Sequence, residues 1–278
     1  MPPMLFFLHM PRTGGTTLNT VLKANFAPEE ILSIYHKEDY ERCRELDPAQ
    51  LDGIRLVIGH LMPQSVEPPR FYDREVRIFT LLREPVARII SEYRFQKSWP
   101  SNHLYARLND GQVSFRDYLT SREKGLRYRG RNFMTHTLAH CFREDMPGDE
   151  LLDMARHNLE RLFFFGVQDH FDAGLLMLAD RIGLGEIFYE KQNMLNPAGF
   201  APVSEEDREL AAQCNALDSA LYAWALRRFE ERMAAAGPAF AARLKTFQAV
   251  NARFHKVCRL INQKLELEER GAIINPKR

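Results

Sequence analysis

The stretch Met10-Pro-Arg-Thr-Gly-Gly-Thr-Thr-Leu18 follows an apolar run, Leu5–His9, and leads into a helical pattern. A strand, a glycine turn and a helix start make an anion site. The first amides of a helix lack internal partners, and the helix dipole favours negative charge there. Gly14 and Gly15 permit a tight turn and a close backbone approach, and Thr16 and Thr17 add hydroxyl donors. The candidate phosphate cradle is therefore Arg12, Thr13, Gly14, Gly15, Thr16 and Thr17. A Walker loop reads G-x-x-x-x-G-K-[ST]. Aligned on Gly15 and Thr17, this chain has Met10 for the first glycine and Thr16 for the lysine, and its cation comes earlier, at Arg12.

Two further positions fall at the ends of apolar runs, where open α/β sheets bind ligands. Val76–Leu82 ends in Arg83-Glu-Pro, with Ser91 two turns into the helix that follows. An arginine offers bidentate charge-assisted bonds and a serine one hydroxyl, although Arg83 could equally pair with Glu84 or Glu92. Leu56–Gly59 ends in His60, a residue type suited to taking a proton from a hydroxyl near neutral pH. A strand-end histidine satisfied by backbone is the plain alternative, and His9 is the rival base, better placed to orient the loop.

Weaker signals lie elsewhere. His136 and His140 share one helix face, half of a zinc site, but no third ligand is identifiable. Ser121–Asn132 is the most basic stretch; Arg127, Arg129 and Arg131 could hold an anionic acceptor and Tyr128 could stack on a sugar, or the segment is a solvated loop. Lys256, Arg259 and Lys264 read as a solvated face or a partner surface.

The elements that must position these residues are strands alternating with helices. The four runs Leu5–His9, Leu56–Gly59, Val76–Leu82 and Leu162–Val167 are continuous in apolar residues, the mark of a parallel sheet covered on both faces. Helices are expected over Thr16–Asn25, Pro85–Gln96, Ser114–Ser121, Asn132–Phe142, Asp149–Arg161 and Phe171–Ile182, the last stopped by Gly183. This alternation predicts an α/β doubly wound fold. Ser204 caps a helical region over Leu210–Ala235, Gly237-Pro238 breaks it, and a last helix spans roughly Ala239–Leu267. One domain is expected, an α/β core over 1–200 with a helical extension over 201–278 packed on it.

Composition narrows the classes. The chain has 278 residues, 45% hydrophobic, with 38 Lys+Arg against 37 Asp+Glu. That excludes intrinsic disorder as the main state and a bulk nucleic-acid coat. The four cysteines, Cys43, Cys141, Cys214 and Cys258, are scattered, as expected of reduced thiols. No run approaches the ~20 apolar residues of a membrane span, and the N-terminal run is too short for a signal peptide. A cytoplasmic location is the expectation.

The stretch Phe7–Leu18 resembles the 5′-phosphosulfate loop of carbohydrate sulfotransferases that use 3′-phosphoadenylyl sulfate (PAPS), especially the heparan sulfate 2-O-sulfotransferase group and its bacterial relatives. That group usually has lysine where Arg12 stands. Arginine keeps the charge and adds a planar fork, so as a catalytic residue Arg12 would bridge the leaving phosphate and a sulfuryl oxygen but could not donate a proton. The resemblance, over roughly Leu5–Asn196, implies a P-loop-type fold and the following roles. Arg12, Thr16, Thr17 and the loop amides hold the 5′-phosphosulfate; Arg83 and Ser91 grip the 3′-phosphate; the Gly59-His60 pair carries the catalytic base. Lys191 falls where the family has a cofactor-covering loop, Lys191–Asn196. The product would be 3′-phosphoadenosine 5′-phosphate (PAP), the acceptor a hydroxyl of a saccharide or glycoconjugate, with no metal and no nucleic acid. A nucleotide-dependent kinase and a non-catalytic nucleotide-binding protein are the competing readings.

Overall fold

In the computed structural model, which describes residues 2–60, 74–143, 145–191 and 199–274, five short strands form one parallel sheet. In chain order the elements begin with β1 (Met4–Leu8), α1 (Gly15–Ala24), β2 (Ile31–Ile34), α2 (Lys37–Glu45), α3 (Pro48–Gly53), β3 (Leu56–Gly59) and β4 (Val76–Leu82). Then come α4 (Pro85–Ser98), α5 (Tyr105–Asp110), α6 (Phe115–Thr120), α7 (Lys124–Gly130), α8 (Phe133–Ala139), α9 (Gly148–Arg161), β5 (Phe164–Val167) and α10 (Phe171–Ile182). Last are α11 (Glu205–Cys214), α12 (Ala216–Ala235) and α13 (Gly237–Ile274).

The sheet order is β2-β3-β1-β4-β5. β1 is central because its side chains are wholly apolar and buried along the whole strand, a pattern only a doubly covered strand tolerates. Leu5 pairs with Leu56 of β3 on one side and with Arg77 of β4 on the other. From β1 the chain winds towards β2 and β3; from β4 it winds the other way to β5. A ligand crevice therefore opens at the carboxyl ends of β1 and β4. Those ends carry the glycine loop and Arg83.

Two expectations need correction. β2 was not expected: Ser33 interrupts its apolar run, and as an edge strand it pairs only with β3. The helix expected over Leu210–Ala235 starts earlier and is two helices, broken at Asn215. Asn215 is fully buried and leaves helical geometry to reach other chain segments. Its Oδ1 accepts from Asn132 N at 2.9 Å and its Nδ2 donates to Gly130 O at 3.1 Å. Those partners outweigh one turn of helix.

Of the helices beyond residue 200, α12 and α13 join the core of the sheet, while α11 buries Ala211 in a second apolar cluster with α4 and α6. Leu221, Ala225 and Phe229 of α12 are buried in the same apolar cluster as β1 and β4. α8 and α12 cap each other. Asn132 Oδ1 accepts from Leu217 N and Asp218 N, while Asp218 accepts from Met134 N and Thr135 N. α13 buries Phe247 and Asn251, then shows Phe254, Val257, Leu260 and Ile261 to solvent. Among the described residues no helix is long and apolar enough to cross a membrane.

Candidate active site

β1 delivers the chain into a loop whose backbone turns sharply twice. Arg12 has φ 65° and Gly14 φ 92°, both left-handed, and Gly14 caps α1. Glycine adopts that region freely; an arginine there is held by its surroundings. Thr13 is fully buried, and its hydroxyl donates to Met10 O at 2.9 Å. It tightens the loop and does not face the cavity, so it is no side-chain ligand for a phosphate. Gly15 answers a second need: a Cβ there would run into the His9 ring.

The loop forms one wall of a cavity of about 620 Å³, within the usual size of a small-molecule site. Arg12, Gly14, Gly15, Thr16, Thr17, Arg83, Ser91 and Lys191 all line it. Arg12 Nε donates to Ser91 Oγ at 3.1 Å, and its guanidinium carbon sits 4.5 Å over the Phe95 ring. Arg83 donates to Arg12 O at 3.0 Å. The two cations and the serine thus meet between the loop and α4. Burial pushes the Arg12 guanidinium below its ordinary value, Glu92 pulls it back up and Arg83 pushes it down again. Burial lowers Arg83 as well, opposed by Glu84. Both arginines remain charged, since an arginine does not deprotonate in proteins.

His60 sits half-buried behind His9 and is not among the residues lining the cavity. Its Nδ1 donates to His9 O at 2.6 Å, because a carbonyl can only accept. That bond leaves Nε2 as the unprotonated nitrogen of the neutral ring. Burial lowers the His60 pKa, the bond to His9 raises it and Arg129 lowers it further. The ring is therefore neutral and able to accept a proton at pH 7. His9 is a poor rival. Burial, then the charges of His60 and Arg12, press its pKa to about 3. Asn19 Nδ2 donates to the Tyr35 hydroxyl at 2.7 Å, and that hydroxyl is hydrogen-bonded with His9 Nδ1 at 2.8 Å. Tyr35, just past the unexpected β2, also sets its ring edge-on to His60 at 4.7 Å.

The far wall was mostly missed from sequence. It comprises the turn Gln168–His170, the start of α10, Arg208 of α11, and Leu244 and Gln248 of α13. Asp169 accepts from the Tyr222 hydroxyl at 2.9 Å and Asp172 from the Tyr189 hydroxyl at 2.5 Å. Arg94 and Phe95 could have been found: they lie three and four residues after Ser91, on the same helix face.

Other candidates fall away from this cavity. The basic stretch is helix α7 rather than a loop. Arg129 pairs with the buried Glu92 at 3.0 Å, and Arg131 Nε donates to Leu119 O at 2.9 Å. Both are committed to structure, and neither these two nor Arg127 lines the cavity. The Tyr128 side chain lies outside the described residues, as do residues 192–196 of the expected covering loop. His136 Nδ1 donates to Cys141 O at 2.7 Å, closing the end of α8. No group of three metal-ligating side chains comes together among the described residues.

Residues 49–277 match the model of the family described as galactose-3-O-sulfotransferase. The human heparan-sulfate 6-O-sulfotransferase 3 is 24% identical over 274 residues, covering 82% of this chain. The chain spans only 58% of that relative's length. A crystal structure of mouse sulfotransferase SULT7A1 complexed with PAP overlaps 76% of this chain and 63% of its own, at TM-score 0.37 and 12% identity. So slight an overlap says nothing about this site. The resemblance to carbohydrate sulfotransferases holds at that level, while these matches carry 3-O and 6-O names rather than 2-O.

Proposed function

Because the chain belongs to the galactose-3-O-sulfotransferase family, we propose that it moves a sulfuryl group from PAPS to a hydroxyl of a saccharide acceptor. One observation carries the reading: Arg12, Arg83, Ser91 and the glycine loop meet on one wall of one cavity. A nucleotide with anions at both its 5′ and 3′ ends needs two such holds. Thr16, where a triphosphate-cleaving loop has its lysine, speaks for the same donor over ATP.

When bound, PAPS supplies a sulfuryl group whose bond to the 5′-phosphate breaks as the acceptor oxygen bonds to sulfur. The amides of Gly14–Thr17 at the start of α1, with the Thr16 and Thr17 hydroxyls, hold the 5′ anion. Arg83 and Ser91 hold the 3′-phosphate. His60 Nε2 takes the proton of an acceptor hydroxyl that approaches from outside the nucleotide cavity, which His60 does not line. The His9 carbonyl on Nδ1–H fixes the tautomer and stabilises the imidazolium that forms. The protein's part is positioning and electrostatics, as in phosphoryl transfer.

Calorimetry with PAP against ADP tests the donor. PAP should bind at least about tenfold tighter, the worth of one charge-assisted contact to the 3′-phosphate that ADP lacks. Equal binding, or none, overturns the reading. Transfer of label from PAPS to a panel of galactose-terminated and heparan-type acceptors then tests the acceptor class.

A further inference from the structure

Eight large apolar side chains stand exposed among the described residues, and six of them gather in one place. Val250, Phe254, Val257 and Ile261 recur at three- and four-residue spacing and so share one face of α13, with Leu260 beside them. Phe188, on the segment after α10, joins the patch. Its ring lies 6.1 Å from that of Phe254 and stacks at 5.6 Å on the buried Phe247. Single exposed apolar residues are ordinary, but a contiguous patch marks an interaction surface.

The charges of the same helix select the partner. From Ala239 to Leu265 the chain has six Lys and Arg and no Asp or Glu, in a protein whose total is +1. Two acids of other segments reach this helix, and both are engaged: Asp180 with Arg243, and Glu190, which accepts from Asn262 at 3.3 Å. Arg253 and Lys256 are exposed and fall on the side of the apolar stripe away from the body, since its other side carries Phe247 and Asn251 inwards. Their aliphatic stems can lie along apolar surface while the charges reach outward. We infer that this face of α13, with Phe188, docks the protein on an anionic lipid surface. The helix would lie in the interface plane, its apolar side chains among the headgroups and its cations against the lipid phosphates. A protein groove fits less well. The patch spans two chain segments and is a broad plane, not a single ridge, and the body of the protein closes one flank of the helix. A second copy of the chain would set Arg253 and Lys256 against like charges. None of the six apolar residues lines the nucleotide cavity, which α13 reaches only through Leu244 and Gln248, so this inference stands apart from the PAPS reading.

The test is co-flotation of the full chain with vesicles of phosphatidylcholine alone and of phosphatidylcholine with about one-third phosphatidylglycerol. The protein should float with the anionic vesicles and not with the neutral ones, and binding should weaken as salt rises and screens the lipid charge. Arg253→Gln and Lys256→Gln should each cost about fivefold in vesicle affinity, the worth of one cation near such a surface. Leu260→Gln combined with Ile261→Gln should cost at least about tenfold through lost apolar burial. Both residues are exposed, so the urea midpoint should not move with the vesicle affinity. Equal flotation with both kinds of vesicle, or with neither, overturns the inference. So does binding to polyglutamate without binding to vesicles, which would assign the face to an acidic protein. A concentration-dependent dimer that the Leu260 and Ile261 substitutions abolish would overturn it too, by assigning the face to a second copy of the chain.

Discussion

Removing the Asp218 carboxylate should destabilise the protein and loosen the cavity together. Asp218 is fully buried on α12, and its oxygens accept from Met134 N at 3.1 Å, Thr135 N at 2.8 Å and the Thr135 hydroxyl at 2.7 Å. All three donors lie at the start of α8, where backbone amides have no helical partner. Met134 and Thr135 are themselves fully buried, so water cannot replace the lost acceptor. Each stranded donor costs about 1–3 kcal/mol, less what relaxation recovers. Asp218→Ala should therefore cost about 3–5 kcal/mol, a large part of the 5–15 kcal/mol typical of a folded domain. Asp218→Asn keeps one acceptor oxygen and should cost about half as much. Urea unfolding is the assay, and the midpoint should fall with the slope unchanged. PAP affinity should fall too, because α12 also carries Tyr222, which holds Asp169 at the cavity wall. An Asp218→Ala midpoint within about 1 kcal/mol of wild type would refute the mutual capping of α8 and α12 as a structural anchor.

Two further outcomes follow from the histidines. His60→Asn should keep PAP affinity and lose about 10²–10⁴ in turnover, the usual worth of a general base; wild-type activity should fall only as pH drops through a pKa below 6.5, since burial depresses it. His9, pressed from 6.5 to about 3 in the fold, makes stability pH-dependent. The unfolded chain binds that proton below pH 6.5 while the folded one does so only near 3, so stability is full above 6.5 and declines as pH falls between the two. At pH 5 the loss from this residue is about 2 kcal/mol, and His9→Asn should flatten the urea-midpoint profile between pH 7 and 5 by roughly that amount.

The sequence was most readable where local pattern and chemistry coincide. Continuous apolar runs marked β1 and β3 because a doubly covered strand has no polar face to interrupt it, and β4 was legible from its apolar end although Arg77 and Thr80 interrupt it. The loop, Arg83 and Ser91 were legible because each lies at the end of such a run or one helix beyond it. What escaped was set by contacts distant in sequence. β2 is a short edge strand with a serine in it, and only its pairing with β3 makes it a strand. Asn215 breaks a helix for partners at Gly130 and Asn132, more than eighty residues away, as no local propensity could indicate.

A chain of net charge +1 can still gather its cations in one cavity. Net charge counts residues and not their commitments. Of the basic cluster over 127–131, Arg129 is neutralised by Glu92 and Arg131 is turned onto a backbone carbonyl. Arg12, Arg83, Arg94, Lys191 and Arg208 instead line one cavity. The two carboxylates that share it, Asp169 and Asp172, are each bonded by a tyrosine hydroxyl, which spreads their charge towards the cavity wall. Freeing one should therefore act on ligand binding before it acts on the fold. Tyr222→Phe leaves the buried ring in place and releases an oxygen of Asp169 close to Arg83. PAP affinity should fall about three- to tenfold, the worth of one hydrogen bond to a charged group on the ligand's cation, while the urea midpoint moves by less than about 1 kcal/mol. An unchanged PAP affinity would show that the tyrosine does not restrain Asp169 from competing for Arg83.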